Sequence, residues 1–237
     1  MPRNGASTTA IIVAAGQGTR FGGSMPKQFL LLNGYPILAH TVQTFQSSKV
    51  IDELIVVAGK QWLEYIRSEI VERFGIKKCR QILPGGEHRH DSVWEGLQTL
   101  DPKADGVVVV HDAVRPLFSK GLLERAVAGC EHYDGCIPAL PLHDTVKQID
   151  GEAITATVSR AALRLAQTPQ AFRQHVLIKA YKAALQESFC GTDEAAFVER
   201  MHGRLCWIEG EEINLKITTS RDLQLAEFYL REKQTCV

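Results

Sequence analysis

The stretch Ala10-Ile11-Ile12-Val13-Ala14-Ala15-Gly16-Gln17-Gly18-Thr19-Arg20-Phe21-Gly22-Gly23, continued by Pro26-Lys27-Gln28, decides how the fold is read. Its first four residues are compact, apolar and mostly β-branched, which suits a strand buried on both faces of a parallel sheet. The small residues and glycines that follow let the backbone approach a ligand closely and turn N–H groups toward phosphate oxygens. Arg20 and Lys27 add two cations: Arg20 brings a planar fork for phosphate oxygens, Lys27 a mobile point charge. Glycines spaced like Gly16 and Gly18 also occur in plain tight turns. Two phosphate-binding loops are excluded by spacing: Phe21 stands where a dinucleotide fingerprint needs its third glycine, and no Gly-Lys-Ser/Thr follows as in a Walker A loop.

Working outward, residues 54–57, 107–110 and 136–139 repeat the buried-strand pattern of residues 10–13. Between them, residues 37–45, 62–74, 92–100 and 122–130 carry apolar side chains at helical spacing. This alternation predicts right-handed crossovers and an α/β fold with a doubly wound, mostly parallel sheet. Ligands on such sheets bind at the carboxyl ends of the strands. The pattern breaks after Pro141. Residues 142–158 alternate polar and β-branched around Asp150-Gly151, predicting a hairpin arm at about residues 141–160 with little core of its own. A hairpin of this kind is marginal in isolation, so it packs either on a partner subunit or back on its own domain. Helices near 174–186 and 193–201, a strand near 205–208, a short strand at 214–217 and a terminal helix near 221–232 complete the reading. No repeat or long linker interrupts the chain, which reads as one domain with an arm.

The 237 residues are 45% apolar and 23% charged, an ordinary globular composition, long enough for a full core. Lys plus Arg balances Asp plus Glu at 27 each, so no net field attracts a polyanion and a nucleic-acid partner is disfavoured. The polar N-terminus lacks a signal-peptide core, and no apolar run is long enough to span a bilayer. The six cysteines form no C-x-x-C pair and no zinc-ligand spacing. Reduced thiols in a cytoplasmic protein, without a membrane partner, are the expectation.

Further motifs extend the candidate site. Asp112, in His111-Asp112-Ala113-Val114-Arg115-Pro116, follows a predicted strand and so sits at a carboxyl end of the sheet. A carboxylate there suits Mg²⁺ on triphosphate oxygens, because Mg²⁺ takes few carboxylates and keeps its waters. A loop Asp bonded to backbone N–H groups is the alternative. Gly85-Gly86-Glu87-His88-Arg89-His90-Asp91-Ser92 precedes a helix. It reads either as a turn with an N-cap or as backbone and hydroxyl groups that read a base. Lys216, between Leu215 and Ile217, points to the face opposite its apolar neighbours. The three Trp residues read as core or interface, since they do not interleave with basic residues.

Together these strings, with D-T-V-K (Asp144–Lys147), T-V-S-R (Thr157–Arg160), Q-T-P-Q-A-F (Gln167–Phe172), T-D-E-A (Thr192–Ala195) and N-L-K-I-T (Asn214–Thr218), resemble the sugar-nucleotide pyrophosphorylase-like nucleotidyltransferases. Within them the set is similar to the 2-C-methyl-D-erythritol 4-phosphate cytidylyltransferase family of non-mevalonate isoprenoid synthesis, from residue 10 to residue 230. The resemblance implies transfer of CMP from CTP to methylerythritol phosphate, with Arg20, Lys27 and Lys216 as catalytic cations. It implies CTP binding by Ala14, Ala15, Gly16, Gly18, Thr19, Gly86, Glu87 and Ser92, although relatives often carry Asp where Glu87 stands. It makes Asp112 the Mg²⁺ ligand. It assigns methylerythritol phosphate to Arg115, Thr145, Arg160 and Thr192, with the arm of a homodimer reaching the partner's site. Ribitol-5-phosphate cytidylyltransferases share H-D-A-V-R-P and Q-T-P-Q and are the neighbouring alternative. A Rossmann oxidoreductase would need a third glycine and an acidic residue where Ala58-Gly59-Lys60 stands. An inactive nucleotide-binding regulator would have no use for Arg20, Lys27, Asp112 and Lys216 together.

Overall fold

The computed structural model describes residues 7–16 and 25–235. Strand β1 (Thr8–Ala14) is followed, past a 3₁₀ turn at Lys27–Phe29, by a small ribbon of β2 (Leu31–Leu32) and β3 (Tyr35–Pro36). Helix α1 (Ile37–Ser47), strand β4 (Glu53–Ala58) and helix α2 (Leu63–Tyr65) come next. Then follow β5 (Cys79–Pro84), α3 (Arg89–Leu97), β6 (Val107–Asp112), α4 (Lys120–Gly129) and β7 (Gly135–Pro141). The arm is β8 (Val146–Asp150) and β9 (Ala153–Val158). The chain closes with β10 (Arg164–Ala166), β11 (Gln170–Arg173), α5 (Gln174–Gln186), α6 (Glu194–Arg200), β12 (Leu205–Glu209) and α7 (Ser220–Thr235).

Eight strands form the main sheet. β5, β4, β1 and β6 lie side by side in parallel. β11 enters antiparallel between β6 and β7, β10 continues along the same edge of β7, and β12 pairs parallel with the other edge. The expected doubly wound, mostly parallel sheet is therefore present, with one antiparallel insertion. Period-two alternation explains its two layers. Ala10, Ile12 and Ala14 of β1 enter the core on one face, with Leu54, Val56 and Val109 and the helical residues Leu38, Val42, Phe45 and Leu123. Ile11, Ile55, Val57, Val108 and Val110 enter the opposite core, with Val93, Leu97, Leu177 and Val198. Both faces are covered, which is why these strands read as continuous apolar runs.

Several expectations are corrected. The predicted helix at 62–74 starts as a 3₁₀ turn at Lys60–Trp62, passes through α2 and continues as a π-helix over Ile66–Glu72. The Arg73 N–H, for instance, donates to the Ser68 carbonyl at 3.2 Å, a five-residue step. Residues 214–217 pair with no strand, because they cross the carboxyl end of β6, where Lys216 meets Asp112, rather than running along a sheet edge. The Ile217 N–H instead donates to Val114 O at 2.9 Å. Strands β5, β10 and β11 escaped the sequence reading: β5 carries Arg80 and Gln81, and β11 lies just after Pro169, where the pattern reads as a loop.

The arm forms its own two-stranded sheet, turning through Gly151 at φ +56°. Its strands are almost wholly exposed, with Ile149 and Ile154 opposite each other at 68% and 66% exposure. Folding back onto the parent domain is thereby excluded for this structure. Among the described residues, no helix is long and apolar enough to cross a membrane.

The core on the α1 and α4 side predicts a specific sensitivity. Phe45 is fully buried, its ring 4.9 Å from that of Phe118 and 5.3 Å from that of His111. Phe45→Ala is expected to lower unfolding free energy by about 3–5 kcal/mol in a urea titration.

Candidate active site

A cavity of about 310 Å³ opens at the carboxyl ends of β1 and β6. Its walls are the end of β1 through Gly16, the Lys27-Gln28 turn, the loop Gly86–Arg89 into α3, and Asp112 with Lys216. Local chemistry explains each wall. The Gln28 side chain is buried and donates from Nε2 to Ala14 O at 2.5 Å and to Gly16 O at 3.1 Å, pinning the first part of the glycine-rich loop. Gly85 and Gly86 permit a close approach: a Cβ at Gly86 would lie 2.3 Å from Cβ of Asp91, and one at Gly85 would lie 2.5 Å from Cβ of Ala15. The His88 backbone N–H donates to Asp91 Oδ2 at 2.9 Å, and His88 is the N-cap of α3. Ser92 is not the cap; it lies inside the helix, fully buried, donating to His88 O at 3.2 Å.

Asp112 lies at the charge centre. Its Oδ1 receives Arg89 Nε at 3.0 Å, its Oδ2 receives Lys216 Nζ at 2.8 Å, and Arg115 Nε is 3.7 Å from Oδ2. Burial alone would raise its pKa, but Arg89, Lys216 and Arg115 hold the carboxyl well below the usual range. Arg89 in turn grips Glu194 with both terminal nitrogens, at 2.6 and 3.1 Å. Arg115 is anchored by donation from Nη1 to Asn214 O at 2.7 Å.

The segment carrying Lys216 is fixed from both sides. Leu215 and Ile217 pack toward Val114, Leu117 and Ala226 of α7, so Lys216 faces the cavity. Asn214, fully buried, donates to Thr168 O at 2.9 Å, and Gln167 Nε2 donates to Glu211 O at 2.9 Å. Glu211 accepts from the backbone N–H of Ser119 at 2.8 Å and from its hydroxyl, tying the segment to the start of α4.

His111 has a structural role. Its Nε2 lies 3.0 Å from Arg115 O and its Nδ1 3.0 Å from Thr168 Oγ1, while the Asp112 N–H donates to that same hydroxyl oxygen at 3.1 Å. The Arg115 carbonyl calls for the proton on Nε2, and burial keeps the ring neutral, so Nδ1 accepts the Thr168 hydroxyl proton.

Of the sequence-predicted residues, Ala14, Ala15, Gly16, Lys27, Gly86, Glu87, Ser92, Asp112 and Lys216 line the cavity together. Arg115 stands behind Asp112. Gly18, Thr19 and Arg20 lie outside the described residues. Thr145, Arg160 and Thr192 are exposed and do not line the cavity of their own chain. Asp193, next to Thr192, caps α6 by accepting from the Ala196 N–H at 3.1 Å. The sequence reading missed Arg89, Gln28 and Glu194. All three stood inside motifs singled out for other residues, and a charged residue in T-D-E-A that folding buries completely has no local signature.

Asp112 and Glu87 are the carboxylates among the cavity-lining residues. Mg²⁺ typically uses one or two carboxylates together with substrate phosphates and retained waters. The donor set therefore fits a cation that arrives with a triphosphate rather than one caged by protein alone.

A glycine-bordered cavity at the carboxyl ends of a mostly parallel sheet, ringed by cations around one carboxylate, is the arrangement of a nucleotidyltransferase. The sequence profile of the 2-C-methyl-D-erythritol 4-phosphate cytidylyltransferases matches residues 8–232, and the chain belongs to that family. It is 44% identical to the protein of that name from Geobacter metallireducens, over 94% of this chain and 97% of the other. It is 40% identical to the one from Geotalea uraniireducens, over 94% and 96%. The crystal structure of 4-diphosphocytidyl-2C-methyl-D-erythritol synthase from Anaerococcus prevotii superposes with a TM-score of 0.83 at 32% identity, covering 96% of this chain and 100% of that one. The Thermus thermophilus cytidylyltransferase gives 0.77 at 31% identity, covering 95% and 99%.

The His111 arrangement sets a pH dependence of stability. Burial pushes its pKa down to about 3. An unfolded chain protonates this ring as pH falls through about 6.5, while the folded one resists, so stability falls with pH below 6.5. The loss is expected to be on the order of 2 kcal/mol between pH 7 and pH 5. Thermal melts of wild type and His111→Gln check it, the variant showing the flatter profile over that interval.

Proposed function

We propose that this chain transfers the cytidylyl group of CTP to 2-C-methyl-D-erythritol 4-phosphate, releasing pyrophosphate and forming 4-diphosphocytidyl-2-C-methyl-D-erythritol for non-mevalonate isoprenoid synthesis. The observation that carries this reading is the convergence of Arg89 and Lys216 on Asp112 in a cavity that Lys27 also lines, beside a loop of small residues at the end of β1. Family membership supplies the substrates.

Nucleotidyl transfer asks the protein for positioning and charge neutralisation. A phosphate oxygen of methylerythritol phosphate attacks the α-phosphorus of CTP, and the bond from that phosphorus to the β-phosphate oxygen breaks. The nucleophile is already an anion, so no general base is required. Ala14, Ala15, Gly16, Gly18 and Thr19 cradle the triphosphate, while Gly86, Glu87 and the buried Ser92 side read cytosine and ribose. Lys27, Lys216 and Arg20 stabilise charge developing at the α-phosphate and on the leaving pyrophosphate. Mg²⁺, when bound, neutralises triphosphate oxygens. Asp112 would hold it, with Lys216 passing from Oδ2 to the phosphates.

In this reading the chain is a single catalytic domain that works as a homodimer in the cytoplasm, where thiols such as Cys130 and Cys136 stay reduced. The arm of one protomer brings Thr145 and Arg160 to its partner's cavity, where Arg115 and Thr192 complete the site for methylerythritol phosphate. The exposed Ile149 and Ile154 support this, since a solvated two-stranded arm has little reason to present them.

Pyrophosphate release from each nucleoside triphosphate, with methylerythritol phosphate or ribitol 5-phosphate as acceptor, tests the assignment. Rapid turnover is expected for CTP with methylerythritol phosphate; turnover with ribitol phosphate alone would replace the acceptor. Lys27→Ala is expected to lower kcat by roughly 100-fold or more with an unchanged melting temperature, in line with removing a transition-state cation. Sedimentation at micromolar concentration is expected to show a dimer, and Ile149→Ser/Ile154→Ser to shift it toward monomer while cutting turnover. A monomeric wild type would remove the shared site.

A further inference from the structure

Three motifs far apart in sequence meet in one buried chain of charges. Glu194 lies at the start of α6 and is fully buried, so no ligand in the cavity touches it. Its carboxylate receives Arg89 Nη1 at 2.6 Å, Arg89 Nη2 at 3.1 Å and the Tyr181 hydroxyl at 3.2 Å. With both terminal nitrogens engaged, the Arg89 fork directs Nε at Asp112 Oδ1, 3.0 Å away. That leaves Oδ2 to Lys216, which lines the cavity beside Asp112. A planar guanidinium gripped end-on has one orientation, whereas a Lys in its place would hold a single oxygen and swivel.

We infer that Glu194 and Arg89 form a positioning pair for Asp112: Glu194 sets the plane of Arg89, and Arg89 sets which carboxylate oxygen of Asp112 meets the metal–triphosphate. This rests on the nucleotidyl-transfer reading and deepens it. The same clamp joins the two substrate ends. Asp193, beside Glu194, caps α6 and accepts Gln170 Nε2 at 2.8 Å, so the turn carrying Thr192 is fixed to β11 while Glu194 is fixed to Asp112. Outer partners that orient a metal-binding carboxylate typically contribute 10–100-fold to metal affinity or activity.

A double-mutant cycle over Glu194→Gln, Arg89→Gln and the double variant tests the pair. The readouts are kcat, KM for CTP, melting temperature, and Mn²⁺ binding in the presence of CTP followed by electron paramagnetic resonance. Each single variant and the double are expected to lose roughly 10–100-fold in kcat and to weaken Mn²⁺ binding by a similar factor, with KM for CTP changing far less. Because Glu194 acts through Arg89, the double variant should be no worse than Arg89→Gln. A further loss on adding Glu194→Gln to Arg89→Gln overturns the inference. So does a folded Glu194→Gln with wild-type kcat and Mn²⁺ binding. Should a single variant fail to fold, the double, which removes the buried Glu194 charge and leaves Asp112 paired with Lys216 and Arg115, decides: weakened Mn²⁺ binding supports the pair and wild-type binding overturns it. A wild type inactive on methylerythritol phosphate would overturn the assigned reaction instead, and the Mn²⁺ measurements would still judge the pair.

Discussion

The carboxylate of Asp112 is buried at the end of β6, and an ionised carboxylate there is tolerated only because cations from three separate segments surround it. Arg89 comes from the start of α3, Arg115 from the loop after β6, and Lys216 from the segment before α7. Each of these segments must be in its native place for the charge to be compensated. The site is thus a product of the whole fold. The arrangement also concentrates positive charge where a triphosphate would enter, so one feature serves both folding and ligand recognition.

Much of the surrounding structure exists to keep those segments still. The Gln167–Gln170 stretch hydrogen-bonds to Asn214, Glu211 and Asp193, and through the Thr168 hydroxyl to His111 and the Asp112 N–H. Buried amides and a neutral imidazole suit this task, since they orient a backbone without adding charge to a low-dielectric site. Ile217 and Leu215, packed with α7, give the Lys216 segment an apolar anchor on the far side. The antiparallel insertion of β11 between β6 and β7 places Gln170 and Thr168 beside the end of β6.

The arm follows a different rule from the body. Its strands bury almost nothing within their own chain, yet they carry two isoleucines opposite each other. The body of the protein, by contrast, has its two cores closed within one chain.

The sequence by itself determined the buried strands of the parallel sheet, the helices α1, α3, α4 and α5 that cover it, the arm, and the cavity residues from Ala14 to Gly16, with Lys27, Gly86, Asp112 and Lys216. These are legible because burial on two sheet faces leaves unbroken apolar runs, and because close backbone approach requires small residues at fixed positions. Tertiary structure alone decided the antiparallel place of β11, the ladder-free path of residues 214–217, the cap of α3 at His88 rather than Ser92, and the Glu194–Arg89–Asp112 chain. Each depends on a partner distant in sequence. Glu194 and Asp112 are 82 residues apart, and nothing local marks Arg89 before folding brings two carboxylates to its fork. Local pattern records what a residue does with its neighbours along the chain; charge compensation in a buried site is settled between segments that meet only in the fold.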